Sequence, residues 1–157
     1  MLRALLLDPR GDWAPLTETL LHFAARAEHV TRAIRPALET GRWVVCDRFT
    51  DSTMAYQGYG QLADRGAIAQ LTALIGLRPD LTLVLDVSAA PARERMIGRG
   101  RSPDRYEREG AAFHERVRNG YRAIVAAEPD RCVLIPADCT AEDVHRAIMA
   151  AVRERLS

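Results

Sequence analysis

A chain of 157 residues, with 48% apolar and 27% charged residues, has the composition of a globular protein and the length of one domain. Its formal net charge of +1 argues against a general affinity for nucleic acid or membrane surfaces, and no apolar run is long enough to span a bilayer. All 22 basic residues are arginines, which excludes any mechanism that needs a lysine of this chain. The N-terminus lacks the pattern of a secretory signal, and the cysteines, at no metal-ligand spacing, are typical of reduced thiols in a cytoplasmic protein: Cys46, Cys132 and Cys139.

The first predicted elements are helical. Residues 2–8 have the pattern of a helix end, and residues 8–12 that of a turn. A long helix is then predicted from Pro15 to Thr40, with Pro15 at its start and a kink at Pro36. Its expected core face consists of apolar residues spaced by three or four: Leu16, Leu20, Phe23, Ala27, Val30, Ile34 and Leu38.

Short apolar runs farther along the chain predict three buried strands, at residues 43–46, 81–85 and 132–135. Helices are predicted at 67–75, 91–98 and 111–127, and a last helix follows Thr140, whose hydroxyl can accept a hydrogen bond from the Asp143 amide. Because strand and helix patterns alternate, the predicted fold class is α/β with a largely parallel sheet, in a single domain over residues 1–157.

Polar residues follow each predicted strand, at the edge of the sheet where α/β proteins bind ligands. Asp47 and Arg48 follow the first strand, Asp86 the second and Asp138 the third. A carboxylate and a guanidinium in this place can hold a magnesium ion and grip a phosphate. The alternative for Asp47 and Arg48 is a salt bridge at the strand end.

Five segments closely resemble those of bacterial thymidylate kinases, in the same order and spacing. They run from Thr17 to Val30, from Ile34 to Leu38, from Val44 to Phe49, from Asp51 to Gly58, and from Arg78 to Val87. Asp104-Arg105-Tyr106-Glu107 resembles the lid of that family, at about residues 99–109, and Phe113, Val117-Arg118 and Tyr121 resemble the helix that follows it. The resemblance covers essentially the whole chain and implies a three-layer P-loop NTPase-like fold.

The resemblance implies transfer of the γ-phosphoryl group of ATP to dTMP, with Mg²⁺ as cofactor. Arg48 would clamp the dTMP phosphate, and Asp47 would serve the metal and the transfer site. Arg26 matches the arginine that hydrogen-bonds thymine. The base-stacking position matches His22, and Phe23 lies one residue later, so either ring can stack; core packing is the alternative for Phe23.

A second part of the substrate pocket is implied by Ser52, Tyr56 and Gln57, which match the segment that lines the thymine and deoxyribose. Gln57 carries an amide that can pair with the base edge, and Tyr56 can press on the sugar where a ribose hydroxyl would sit. The alternative is a polar turn. Gln61 departs from the family, where an arginine is common, and this departure weakens the expectation of a phosphate contact there.

The lid region carries six arginines between residues 93 and 108. Arg99, Arg101 and Arg105 are the candidates to stabilise charge on the transferred phosphoryl group. Arg93 and Arg95 are expected on a solvated helix face, because acidic residues are interleaved with these arginines. A basic stripe for nucleic acid is the alternative for the whole region, but it lacks interleaved aromatics beyond Tyr106. Asp86 is expected to cap the turn that follows it, and Asp138 matches the place where the family approaches the adenine of ATP.

A glycine-rich loop ending in Lys-Ser or Lys-Thr, which P-loop kinases use to cradle ATP phosphates, is absent from these 157 residues. Compared with the family, the first two strands and this P-loop are missing, so we expect the chain alone to lack appreciable kinase activity. The alternatives are a non-catalytic nucleotide-binding remnant and a related kinase with another nucleotide preference. The expected partners are dTMP, ATP and, by family analogy, a second copy of the chain, but neither nucleic acid nor membrane.

Overall fold

The computed structural model describes residues 5–6, 12–88 and 105–156. The chain divides into two compact units, Met1–Leu77 and Arg78–Ser157. Among the described residues, no helix is long and apolar enough to cross a membrane. The expectation of a single domain with a lid stays a prediction.

The first unit is built around one long helical stretch. Helix α1 (Pro15–His29) runs into a π-helical turn (Val30–Ile34) and then into helix α2 (Arg35–Glu39). This confirms the helix predicted over residues 15–40. Pro36 lacks a backbone N–H and so cannot continue α-helical bonding, and just before it the Arg35 N–H donates to the carbonyl of Val30, five residues back.

The buried face of α1 differs from the expected one. Leu16 and Leu20 are 56% and 47% exposed, whereas Glu18 and Thr19 are 0% and 1% exposed. Apolar spacing therefore gave the right helix but the wrong face at its start, because an inward-facing carboxylate needs partners that the local pattern does not reveal. Farther along, Phe23, Val30 and Ile34 are buried as expected.

Residues 43–46 form no strand, so that prediction was wrong. The segment keeps an alternation of burial: Trp43 and Val45 are 72% and 97% exposed, while Val44 and Cys46 pack against the buried cluster of Val30, Ile34 and Phe49. A strand needs a hydrogen-bonded neighbour, and within the described ranges no segment pairs with this one.

A second helical stretch follows. Helix α3 (Thr50–Thr53) continues as a π-helical segment (Met54–Gly60), where only a polar, glycine-bearing stretch was expected. Helix α4 (Arg65–Ile75) starts where the Asp64 carboxylate accepts hydrogen bonds from two backbone amides, and it ends at Gly76 with φ of 61°.

The second unit confirms the α/β class. Strands β1 (Thr82–Asp86) and β2 (Cys132–Pro136) pair in parallel, with Thr82 opposite Cys132 and Asp86 opposite Pro136. Helix α5 (Ala111–Ala127) lies between them in sequence and packs on both strands. The core is formed by apolar side chains of these three elements: Val84, Phe113, Val117, Ile124, Cys132 and Ile135.

The last helix, α6 (Ala141–Leu156), begins as predicted. Thr140 Oγ1 accepts a hydrogen bond from the Asp143 amide at 3.2 Å and donates to the Asp143 carboxylate at 2.7 Å. The helix predicted at residues 91–98, Arg99, Arg101 and most of the turn at 8–12 lie outside the described residues. Of the helix end predicted at residues 2–8, only Leu5 and Leu6 are described, and both are helical.

Candidate functional site

Arg26 joins helix α1 to the loop that carries Asp47 and Arg48. Its Nη2 atom donates to the backbone carbonyl of Phe49 at 2.8 Å. Its Cζ atom lies 5.4 Å from the centroid of the Phe23 ring, one helical turn earlier. The guanidinium is thus held between an aromatic face and a fixed carbonyl, at the edge of the buried cluster.

The Phe49 carbonyl also binds the start of helix α3. The backbone N–H of Ser52 donates to it at 3.1 Å, and the Ser52 side chain is 8% exposed. One carbonyl therefore accepts hydrogen bonds from both Arg26 and Ser52. The family resemblance assigns these two residues to one pocket, although they are far apart in the chain.

Arg48 has an unusual backbone. Its φ of 66° lies in the left-handed region, which is uncommon for a residue other than glycine. Such strain is concentrated at functional sites, where the surrounding structure maintains it. The Cys46 thiol donates to the Arg48 carbonyl at an S–O distance of 3.5 Å. Burial raises the pKa of this thiol, the nearby Arg26 lowers it to a smaller extent, and Asp47 raises it further; the net rise keeps the proton on sulfur.

The Arg48 side chain is exposed and lies over the ring of Tyr56, with Cζ 4.8 Å from the ring centroid. Tyr56 belongs to the π-helical segment, and such segments occur frequently at functional sites. Asp47, beside Arg48, is exposed. The structure therefore presents a carboxylate and a guanidinium side by side at the surface.

Glu18 is a site residue that sequence reasoning missed. It is fully buried, and its Oε1 atom accepts hydrogen bonds from Gln57 Nε2 at 2.9 Å and Gln61 Nε2 at 3.0 Å. Gln57 itself is 1% exposed. The one signal in the sequence was an acidic residue in the first helical turn, which is favourable there whether the side chain faces inward or outward.

The two candidate stacking rings differ in exposure. His22 is half-buried, whereas Phe23 is 4% exposed and has the Arg26 guanidinium over its face. The structure thus places Phe23 in the core and leaves part of the His22 side chain open to solvent.

In the second unit, Asp86 binds two guanidinium groups. Arg118 Nε donates to Oδ1 at 2.6 Å, and Arg122 Nη2 donates to Oδ2 at 2.6 Å. The hydrogen bond from Arg118 is the main reason that the pKa of Asp86 is below its ordinary value; burial opposes this shift and Arg122 adds to it. The same bond raises the pKa of Arg118.

Asp138, rather than Asp86, binds the turn after β1. Its Oδ1 atom accepts from the Ser88 backbone N–H at 2.8 Å, which corrects the expectation that Asp86 caps this turn. Asp138 itself is exposed. Arg105 is half-buried and starts the turn at residues 105–108, next to the buried Tyr106. Within the described part of the chain, no group of three or more His, Cys, Asp or Glu side chains is placed to hold a metal ion.

Comparison with known proteins gives one consistent family. The family model described as thymidylate kinase matches residues 1–148. The thymidylate kinase of Chromohalobacter salexigens is 51% identical over 161 aligned positions, which cover 99% of this chain and 76% of that protein. The thymidylate kinase of Caulobacter vibrioides is 48% identical over 158 positions, again covering 99% of this chain and 76% of that protein.

A solved structure agrees with the sequence relatives. The crystal structure of thymidylate kinase from Ehrlichia chaffeensis superposes with a TM-score of 0.74 at 34% identity, covering 94% of this chain and 70% of that one. The sequence resemblance is confirmed, and this chain belongs to the thymidylate kinase family, a family of phosphoryl-transferring enzymes with the P-loop NTPase fold.

Proposed function

We propose that the first unit binds dTMP and that the protein serves the transfer of the γ-phosphoryl group of ATP to dTMP, giving dTDP and ADP. In this reaction an oxygen of the dTMP phosphate forms a bond to the γ-phosphorus of ATP. At the same time the bond between the γ-phosphorus and the oxygen that bridges it to the β-phosphorus breaks, and ADP leaves. The observation that carries the proposal is the Phe49 carbonyl, which holds Arg26 and Ser52 next to the strained Arg48 backbone. The family of the chain supports the same reaction.

The phosphate of dTMP is assigned to Arg48. Its guanidinium is exposed, always charged and lies over the Tyr56 ring, which restricts its position before a ligand arrives. A planar guanidinium can donate two parallel hydrogen bonds to phosphate oxygens. Tyr56 itself is assigned to the face of the deoxyribose, and Ser52 to the wall beside it.

The thymine base is assigned to His22, Arg26 and Gln57. His22 is the stacking ring in this proposal because it is half-exposed, while Phe23 is buried. Arg26 carries donors that suit a thymine carbonyl oxygen, and it is already oriented by its bond to Phe49. Gln57 completes the recognition of the base edge.

Further candidate residues are assigned to magnesium and to ATP. Asp47 fits Mg²⁺ because it is an exposed carboxylate next to Arg48, and Mg²⁺ takes hard oxygen ligands while keeping several waters. When bound, the ion would neutralise charge on the phosphates. Arg99, Arg101 and Arg105 are assigned to the charge of the transferred group, and Asp138 to the adenine side of ATP.

The 157 residues contain no lysine and no glycine-rich loop ending in Lys-Ser or Lys-Thr. Because P-loop kinases hold the β- and γ-phosphates with that lysine and with loop amides, we propose that this chain by itself binds dTMP but does not turn it over at an appreciable rate. Binding without turnover is also what the second candidate function, a non-catalytic nucleotide-binding protein, requires.

A homodimer in the cytoplasm is part of the proposal. Helix α1 and α2 expose three leucines, Leu16, Leu20 and Leu38, at 56%, 47% and 42%. An apolar strip of this kind on a long helix supports pairing with a second copy. The three free cysteines are consistent with a reducing compartment.

The test is calorimetric titration of the 157-residue chain with dTMP, dCMP and AMP, together with coupled measurement of ADP release from ATP. The proposal expects binding of dTMP in preference to the other two nucleotides and little ADP release. Equal or undetectable binding of all three would contradict the dTMP site. ADP release at the rate of an active thymidylate kinase would contradict the proposal that this chain by itself does not turn dTMP over.

A further inference from the structure

Glu18 is a buried carboxylate at the start of a helix whose neighbouring leucines face outward. It lies in the first turn of α1, three residues after Pro15, and is 0% exposed. A carboxylate this deeply buried is costly unless hydrogen bonds satisfy it. The first turn of a helix partly offsets the cost, because free backbone amides there favour negative charge.

Two side-chain amides converge on the same oxygen of Glu18. Gln57 Nε2 lies 2.9 Å from Oε1, and Gln61 Nε2 lies 3.0 Å from it. Gln61 stands where the family commonly has an arginine, and here it adds a second amide donor to the carboxylate. Both glutamines lie toward the end of the same helical stretch. Tyr56, whose ring lies under Arg48, belongs to this stretch too.

The chemistry of these groups fixes which end of the Gln57 amide faces Glu18. An ionised carboxylate only accepts hydrogen bonds, so the amide nitrogen must point toward it. The amide carbonyl, on the other branch of the same planar group, then points away from the carboxylate. Without Glu18, the two ends of a glutamine amide differ little in shape and the side chain can rotate to present either one.

We propose that Glu18 is a positioning residue that orients Gln57 to present its carbonyl oxygen, so that the site selects a pyrimidine with an N–H at ring position 3. This inference rests on the proposed dTMP site. Thymine and uracil carry a hydrogen at N3 and donate to a carbonyl, whereas cytosine has a lone pair there and is repelled by it. Selection between the two classes of base then depends on a residue that does not touch the base.

The direct test compares dTMP and dCMP binding in the wild-type chain and in Glu18→Gln. This change keeps the shape but replaces the acceptor-only carboxylate by an amide, so that Gln57 can turn either its NH₂ group or its carbonyl toward residue 18. The ratio of dCMP to dTMP dissociation constants should fall by roughly tenfold. Glu28→Gln is the matched control: Glu28 lies on the same helix, is exposed and pairs with Arg32 at 3.0 Å. The control should leave the ratio unchanged.

The reciprocal exchange, Glu18→Gln combined with Gln57→Glu, supplies a rescue. It keeps an amide donating to a carboxylate and leaves an acceptor oxygen at position 57, so the preference for dTMP over dCMP should return. If Glu18 had only a structural role, the single variant would bind both nucleotides more weakly by the same factor. The double variant would then not restore the preference for dTMP.

A measurement on the wild-type chain covers the case in which the variants do not fold. By NMR, the Gln57 side-chain NH₂ protons, assigned through their bonded carbons in the wild-type chain, should exchange slowly and shift little on adding dTMP, because they face Glu18. Large shifts of these protons would show the nitrogen at the base and overturn the inference. An unchanged nucleotide ratio in folded Glu18→Gln would overturn it too, while the dTMP site would stand. Failure of the wild-type chain to bind dTMP would overturn both.

Discussion

The guanidinium carbon of Arg48 lies 4.8 Å from the centre of the Tyr56 ring, although Arg48 itself has the backbone conformation expected of a glycine, with φ of 66°. The strained backbone and the aromatic contact both restrict the conformations open to Arg48. A guanidinium whose position is restricted suits recognition of a phosphate. This pair connects the loop after residues 43–46 with the π-helical segment.

Removal of the ring beneath Arg48 should weaken phosphate binding. In Tyr56→Leu the guanidinium gains conformational freedom that binding must then restrict, so we expect dTMP affinity to fall by roughly three- to thirtyfold, on the order of 0.5–2 kcal/mol. Calorimetric titration measures the change. Tyr59→Leu is the matched control, since Arg65 lies over the Tyr59 ring at the same 4.8 Å. An equal loss in both variants would assign the effect to general destabilisation.

Substitutions of His22 and Phe23, two neighbouring residues of α1, should have different effects: one on dTMP affinity and the other on stability. His22→Ala should reduce dTMP affinity roughly tenfold through lost stacking, with little change in the free energy of unfolding. Phe23→Leu should lower the free energy of unfolding by about 1–2 kcal/mol, because Phe23 is 4% exposed and packs beneath Arg26. Urea unfolding and dTMP titration of both variants check this assignment, and the reverse pattern would make Phe23 the stacking ring.

Asp86 should make the second unit more stable at neutral than at acid pH. Its folded-state pKa is lowered, mainly by the Arg118 hydrogen bond, so its contribution is present above the unfolded pKa of about 3.9 and is lost as pH falls through the folded value. Asp86→Asn should therefore reduce the free energy of unfolding by about 1–3 kcal/mol near pH 7, and the difference from wild type should shrink below pH 4.

Urea titrations between pH 3 and pH 7 measure this difference. Asp80→Asn is the control, because Asp80 is an exposed aspartate shortly before β1. It should change stability by a few tenths of a kcal/mol at all these pH values. A destabilisation by Asp86→Asn that stays constant down to pH 3 would show that the Arg118 and Arg122 pairs are not its cause.

Local patterns were sufficient for the elements whose cause is local. Apolar spacing with Pro15 and Pro36 predicted the long helix, and the Thr140–Asp143 cap and the parallel strands followed from short runs of sequence. In contrast, the strand predicted at residues 43–46 depends on a neighbour elsewhere in the chain, and pairing of that kind leaves no mark in the segment itself.

In the candidate site, too, some features could be predicted from the sequence and others depend on residues that are distant in sequence. Arg26, Arg48, Ser52, Tyr56 and Gln57 were chosen through the family resemblance, and the structure adds how Phe49 and Tyr56 orient the two arginines. The buried partner of Gln57 could not be predicted. Glu18 lies among leucines on an amphipathic helix, where a charged residue is expected on the solvent side. Its inward orientation is associated with hydrogen bonds from Gln57 and Gln61, which are distant in sequence.

The central claim is that Arg48 grips the phosphate of a thymidine nucleotide. It is tested most directly by titrating wild-type and Arg48→Ala chains with dTMP and with thymidine, which lacks the phosphate. The account predicts that Arg48→Ala weakens dTMP binding tenfold or more, as expected for a charge-assisted hydrogen bond, and leaves thymidine binding unchanged. Arg65→Ala, which removes the arginine over the Tyr59 ring, should affect neither ligand. Undiminished dTMP affinity in Arg48→Ala would contradict the account.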